Sequence, residues 1–252
     1  MYWQDRWMFK DSIEVEIKYA GNYGAKGERR AKKVKATPEQ IRQQNQRNKE
    51  KRMRRLIKAN FSKGDLWLTL KYKKGDRPHV SQVKKDLKKF IDLMRRRYKK
   101  EGEEFKFIYR LEVGKMGGIH IHMIVPRIRG ADIDIQEAWK HGRVNYESLD
   151  DGDYKELAAY ITKMPDEESY KQISLFPKEE RREFIKYSSS RNLIRPVPER
   201  KEFKRKTVRK ILLEGIKATK GYFIDKDSIQ IGINKFTGMS YIHYTEKRCF
   251  DG

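Results

Sequence analysis

A single cysteine, Cys249, stands in a chain of 252 residues. That excludes an internal disulfide framework and a cysteine-based zinc knuckle. No run of apolar residues approaches the length needed to cross a bilayer. The opening MYWQDRWMFKDS has neither the apolar core nor the small-residue cleavage site of a signal peptide. No Gly-x-x-x-x-Gly-Lys-Ser/Thr occurs, so no P-loop and no attached helicase are expected, and no internal repeat is found. Acidic residues are in deficit: 36 Asp and Glu against 60 Lys and Arg leave a formal net charge of +24. Such an excess is the footprint of a polyanion, most often nucleic acid, although ribosomal and membrane-surface proteins share it. The 14 Tyr, 11 Phe and 4 Trp argue against simple disorder and supply stacking surface. The composition therefore predicts a soluble, cytoplasmic protein with no membrane partner, of one substantial domain or two small ones.

The most informative stretch is Phe105–Val125, FKFIYRLEVGKMGGIHIHMIV. Residues 105–113 and 119–125 alternate as two strands, and Gly114, Gly117 and Gly118 mark a turn between them. With Lys115–Gly117 as the loop, Val113 faces Ile119, Glu112 faces His120, and Arg110 faces His122. Opposed residues share one face at about 4.5–5.5 Å between Cβ atoms. One face then carries Arg110, Glu112, His120 and His122. The other carries Phe107, Tyr109, Leu111, Val113, Ile119, Ile121 and Met123. Two imidazoles and a carboxylate make a three-ligand site for a divalent metal. Mixed N/O ligation suits Mn²⁺ or Mg²⁺ when a substrate supplies phosphate oxygens, and could also hold Zn²⁺ or Ni²⁺. The plainer alternative is two half-buried strand histidines near a carboxylate.

Elsewhere, Ser12–Ala20 alternates as a strand. Gly21, Gly24 and Gly27 punctuate the next stretch, and Glu28–Lys35 is basic. Thr37-Pro38 opens a helix through residue 59 that is mostly charged, with Ile41, Met53, Leu56 and Ile57 as its aliphatics. It reads as a solvated face or as a DNA-backbone contact. Leu66–Tyr72, LWLTLKY, alternates cleanly; Trp67, Thr69 and Lys71 face one way, suited to base stacking and phosphate contact, or for Trp67 equally to packing. In Val80–Lys99 the residues Val80, Val83, Leu87, Phe90, Ile91, Met94 and Tyr98 form one apolar stripe. A short helix is expected within 128–141, and an extended piece at 143–146. Asp153–Met164 reads as a helix with Asp153 as N-cap and Glu156 completing a capping-box-like pair. Tyr160 and Lys163 lie three apart, off its apolar stripe. A charged helix over 177–187, a polar loop over 187–192, a basic helical stretch over 201–217 and a meander over 221–244, turning at Lys235–Gly238, complete the chain.

His-hydrophobic-His recurs in several families. A histidine-triad hydrolase needs a third His where Ile124 stands. Two-His phosphoesterases need His-x-Ser/Thr pairs that are absent, and a cupin needs more strands and a further distant His. The stretch resembles motif 2 of the HUH endonucleases, a superfamily that includes rolling-circle replication initiators (Rep proteins), relaxases and small transposases. Leu66–Tyr72 resembles their motif 1, and Tyr160-Ile-Thr-Lys163 resembles the Tyr-x-x-Lys of single-tyrosine Rep proteins. The motifs span roughly residues 65–165.

The resemblance implies an α/β (α+β) two-layer sandwich, a central antiparallel sheet with helices on one face and the active site on the other. It implies Tyr160 as nucleophile on single-stranded or hairpin DNA, giving a 5′-phosphotyrosyl link and a free 3′-OH. Glu112, His120 and His122 would hold Mn²⁺ or Mg²⁺, Lys163 would assist the tyrosine, and Arg110, Trp67, Thr69 and Lys71 would contact DNA. Asp166 or Glu167 is a further candidate ligand. A separate helicase is the implied partner; relaxase and transposase remain open, as does a non-catalytic basic nucleic-acid-binding protein. The sequence divides as a basic extension over 1–60, a core over 61–168 and an accessory region over 169–252.

Overall fold

The computed structural model of the chain describes residues 1–21, 36–114, 116–150, 153–234 and 236–249. Gly24, Gly27, the basic stretch Glu28–Lys35 and the turn residues Lys115 and Lys235 fall outside them. The elements begin with β1 (Tyr2–Met8), β2 (Ser12–Tyr19), α1 (Pro38–Asn60), β3 (Leu66–Lys71) and α2 (Val80–Lys100). Next come β4 (Ile108–Val113), β5 (Ile119–Val125), α3 (Ala131–Ala138), β6 (Val144–Ser148), α4 (Lys155–Thr162), α5 (Glu167–Ser174) and α6 (Lys178–Arg181). The last are β7 (Tyr187–Ser189), β8 (Glu199–Phe203), α7 (Arg205–Glu214), β9 (Tyr222–Ile233) and β10 (Ser240–Arg248). The fold is α+β, with two antiparallel five-stranded sheets.

The chain forms two compact units, Gln44–Ile194 and the pair Met1–Gln43 with Arg195–Gly252. This grouping differs from the division 1–60, 61–168 and 169–252, because strands from both chain ends share one sheet in the order β8-β1-β2-β10-β9. One face of that sheet packs Tyr2, Ile13, Val15, Ile17, Ile242 and Tyr244 against Val208 of α7. The expected 201–217 helix is replaced at its start by β8, which pairs with β1 from Tyr2–Phe203 to Arg6–Glu199. β1 itself is not legible in the sequence. Tyr2, Asp5 and Trp7 are all buried and fall on opposite faces, so the strand shows no apolar–polar alternation.

The sheet of the Gln44–Ile194 unit has the order β6-β3-β5-β4-β7. Its central hairpin has the expected register: Val113 pairs with Ile119, Glu112 with His120 and Arg110 with His122. Gly117 has φ +77°, a turn conformation that favours glycine, and Gly114 N–H bonds Gly118 O at 2.8 Å. The α2 stripe from Val80 to Tyr98 is buried against Leu66, Leu68, Leu70, Leu111, Val113, Ile119, Ile121 and Met123. Seven such side chains contribute on the order of 10–20 kcal/mol of gross burial energy. On the opposite face, the last turns of α1 (Met53, Leu56, Ile57) and α4 (Ala158, Ile161) cover Ile108 and Ile124. The basic N-terminal helix is thus partly a packing element.

Two local expectations change. The 187–192 stretch is not a loop throughout, since β7 pairs Ser189 with Ile108 and Tyr187 with Arg110. The 177–187 helix shortens to α6 and a 3₁₀ turn at Arg182–Phe184. Among the described residues no helix is long and apolar enough to cross a membrane.

In the terminal-strand unit, buried Asp5 accepts from Arg200 Nε at 2.6 Å and lies 3.0 Å from Lys18 Nζ. Burial works to raise its pKa, but the hydrogen bonds from Arg200 and Lys18 outweigh it and leave the carboxyl below its ordinary value. Asp5→Ala should lower stability at neutral pH by about 1.5–2 kcal/mol, the lower part of the range for charge-assisted bonds because both cations can rehydrate. A depressed folded-state pKa means the contribution is full above the unfolded value near 4 and fades as pH falls through the folded one. Urea unfolding at pH 7 and at strongly acidic pH checks this: the gap between wild type and variant should close in acid.

Candidate active site

The strand register lays three rows across one face of the second sheet. Glu112, His120 and Lys71 form the first, and Arg110, His122 and Thr69 the second. Ile108, Ile124 and Trp67 form the third. The third row is apolar, and Ala158 and Ile161 of α4 pack on it. Tyr160, one position off that stripe, therefore projects toward the two polar rows.

Its hydroxyl donates to Glu112 Oε2 at 2.5 Å and lies 3.1 Å from His122 Nε2. His122 Nε2 is itself 2.8 Å from Glu112 Oε2, and Lys163 Nζ is 3.0 Å from Glu112 Oε1. Lys163 also stands 4.4 Å from the centre of the Tyr160 ring. Lys163 is not on a face of α4 with Tyr160 but is the extended residue that closes the helix, and the two side chains meet at Glu112. Thr69 Oγ1 is 3.2 Å from His122 Nδ1 and sets how that imidazole turns. Trp67 stacks on His122 with centroids 5.5 Å apart and meets Tyr160 edge-on at 5.8 Å.

The electrostatics follow from this crowding. Burial works to raise the Glu112 pKa, but hydrogen bonds from His122, Tyr160 and Lys163 prevail and hold the carboxyl well below its usual range. For Tyr160 the same contact acts in the opposite sense: burial first, then the Glu112 hydrogen bond and charge, push its pKa well above the ordinary tyrosine value. His120 is pushed down by burial, then by Lys71 and His122, which favours the neutral ring that ligates metals.

Among the described residues, no three His, Cys, Asp or Glu side chains converge closely enough to hold a metal ion. The donor chemistry nevertheless fits a divalent cation. Glu112 and His122 converge on one point, now filled by the Tyr160 hydroxyl. The His120 ring lies 6.3 Å from that of His122, one row nearer the turn.

Several expected contacts take other roles. Arg110 is 2% exposed, which removes it from the DNA contacts. Its guanidinium donates to the carbonyls of Tyr160 (2.8 Å), Ile161 (3.2 Å), Lys163 (3.2 Å) and Phe184 (3.2 Å). It is the C-terminal anchor of α4, satisfying carbonyls that the helix leaves open. Thr69 and Trp67 are turned to His122 and Tyr160, so the packing alternative describes Trp67 here. Lys71 keeps a half-exposed side chain in line with His120. Asp166 caps α5, accepting from Ser169 N–H at 2.8 Å, and Glu167 is an exposed residue of that helix. At the other end of α4 the N-cap is Tyr154, at φ 56°, and Asp153 instead accepts from Lys155 N–H at 2.9 Å.

Two supporting residues went unread in the sequence. Gln46 Nε2 and Lys49 Nζ of α1 reach the Thr162 carbonyl at 3.1 and 3.4 Å. The i, i+3, i+4 spacing of Met53, Leu56 and Ile57 is the signal that α1 packs against the sheet and so brings them there.

Residues 65–165 match the family of the replication-associated protein ORF2. No curated protein and no solved structure matches the chain. The matched stretch contains Trp67, Thr69, Lys71, Arg110, Glu112, His120, His122, Tyr160 and Lys163.

Arg110→Met removes the buried anchor while keeping much of the volume. Stability should drop by about 2–4 kcal/mol, from carbonyls left without a charged donor. In the folded fraction the salt dependence of single-stranded DNA binding should not change. A direct phosphate contact would instead flatten the slope of log K against log salt by about 0.7. Thermal unfolding together with a salt titration of binding separates the two roles.

Proposed function

We propose that the protein is a replication initiator that nicks single-stranded or hairpin DNA through Tyr160 and rejoins it, as in the HUH endonucleases. The observation that carries this reading is the Tyr160 hydroxyl held between Glu112 and His122, inside a segment that matches a replication-associated family. The net charge of +24 suits the substrate.

In this reaction the phenolic oxygen of Tyr160 attacks phosphorus and the bond from phosphorus to O3′ breaks. Tyr160 loses its proton, O3′ gains one, and a 5′-phosphotyrosyl link and a 3′-OH result. The link retains the energy of the phosphodiester, so the reverse attack by a 3′-OH reseals a strand without ATP. Lys163, close to the Tyr160 ring and hydroxyl partner, favours the phenolate and offers a positive charge to the phosphate. Thr69 and Trp67 hold the His122 ring in place. Arg110 positions the helix end that carries the nucleophile.

Glu112, His120 and His122 are the residues that would hold Mn²⁺ or Mg²⁺. A cation there would supply Lewis-acid polarisation of the phosphate and stabilise charge in the transition state. For replication, a separately encoded helicase would unwind the duplex.

The test is incubation with single-stranded and stem-loop DNA plus Mn²⁺, followed by denaturing electrophoresis. A covalent protein–DNA adduct should form, vanish with EDTA and be absent in Tyr160→Phe. His122→Ala and Glu112→Gln should lower its rate by at least about 100-fold, and Lys163→Ala by about 10–100-fold. DNA binding without an adduct on any substrate would favour the non-catalytic binding protein. An adduct persisting in Tyr160→Phe would move the nucleophile elsewhere, with Tyr154 the next to test.

A further inference from the structure

A cleft of about 810 Å³ opens at the end of β3, where Lys71–Lys74 meet the turn from α3 into β6. Five cations line it, Lys71, Lys73, Lys74, Lys140 and Arg143, and no carboxylate does. Its aromatic side is formed by the partly exposed Tyr72, which the fully buried Trp139 backs edge-on at 5.3 Å. An apolar wall rimmed by positive charge is the chemistry that takes a nucleobase on one side and phosphates on the other.

The cleft is rigidly built. Trp139 Nε1 donates to Lys71 O at 2.9 Å, and Lys73 N–H donates to His141 O at 3.0 Å. Between them the two backbones come so close at Gly142 that a Cβ there would run into Lys71 and Tyr72. Asp86, buried at 3% exposure, accepts from the Tyr72 hydroxyl at 3.0 Å and from Gln82 at 2.8 Å, with His141 Nε2 3.6 Å away. The Tyr72 ring is thereby fixed from behind.

The cleft also continues from the candidate active site. Lys71 N–H bonds Arg143 O at 2.9 Å, which extends the first row of the sheet face to Arg143–Lys71–His120–Glu112. Lys71 stands one strand spacing, about 5 Å, from His120. A strand whose scissile phosphate lies at Tyr160 has a cationic path into the cleft.

We infer that this cleft seats a nucleotide of the single strand flanking the scissile phosphate, its base against Tyr72 and its phosphates on the surrounding cations. The inference rests on the strand-nicking reading and adds to it a second point of grip that sets where along the strand the nick falls.

The full-length protein is tested with an oligonucleotide carrying 5-iododeoxyuridine at one position at a time. Photocrosslinks are mapped by peptide mass spectrometry, beside the Tyr160 adduct assay on the same DNA. Crosslinks from positions near the tyrosine-linked nucleotide should fall on peptides containing residues 71–74 or 139–143. The pair Lys140→Glu with Arg143→Glu, both exposed, should weaken binding of a long oligothymidylate at least about tenfold in low salt and flatten the salt slope by about 1.4. Lys88→Glu with Lys89→Glu makes the same charge change on exposed positions of α2 and should alter binding less than about threefold. If the adduct forms but crosslinks avoid these peptides, or if the α2 pair weakens binding as much as the cleft pair, the cleft is not a nucleotide seat. If crosslinks fall in the cleft and no adduct forms, the seat stands and strand nicking falls.

Discussion

The buried guanidinium of Arg110 holds the candidate site together. Arg110 and Glu112 sit two residues apart on one strand and point to the same face. One donates to the closing carbonyls of α4, and the other accepts from the tyrosine that α4 carries. The distance between the Tyr160 hydroxyl and the carboxylate is therefore set by a single strand repeat and a single helix turn. Arginine suits the role because its fan of donors serves several carbonyls at once and its charge survives burial. Burial does lower its pKa, and the nearby Glu112 and Tyr160 work against that shift. Lys49 comes to the same helix end and is also lowered, by burial and then by the Arg110 charge. Two cations on one helix terminus repel each other, and the negative end of the helix dipole offsets part of that cost.

What the sequence made legible was local. The hairpin register follows from three glycines and the alternation on either side. The α2 stripe follows from its spacing. Both are read within a few residues, and the structure has them as expected. Arg110 was misread because its environment arrives from far along the chain. An arginine beside two histidines in a basic protein looks like a phosphate contact. Its burial is decided by carbonyls 50 to 74 residues later. β1 was missed because residues on both of its faces are buried, which erases the period of two. The apolar positions of α1 gather in its last turns, so the helix as a whole reads as solvated.

Thr69 gives the site two ways to be satisfied. With Nε2 as the donor to Glu112, the Thr69 hydroxyl would donate to Nδ1. Were Nε2 to hold a cation, the proton would sit on Nδ1 and Thr69 would be its acceptor. A hydroxyl can do either without moving, whereas a carbonyl or an amide N–H at that point would enforce one tautomer. The ring can thus exchange its Nε2 partner while its plane stays fixed between Trp67 and Tyr160.

Lys163 sets a complementary limit. It pairs with Glu112 and also stands over the Tyr160 ring, so one ammonium serves both the carboxylate and the tyrosine. On the strand-transfer reading, a phosphate arriving at Tyr160 competes for that ammonium. Glu112 is held ionised by its hydrogen-bond donors, and it would face the phosphate with its neutralising partner drawn away. Two like charges 4 Å apart at an effective dielectric near 20 repel by about 4 kcal/mol. That penalty is removed when Glu112 has a cation of its own. On that reading, the acid that holds the Tyr160 hydroxyl would therefore oppose an incoming phosphate unless a cation neutralised it.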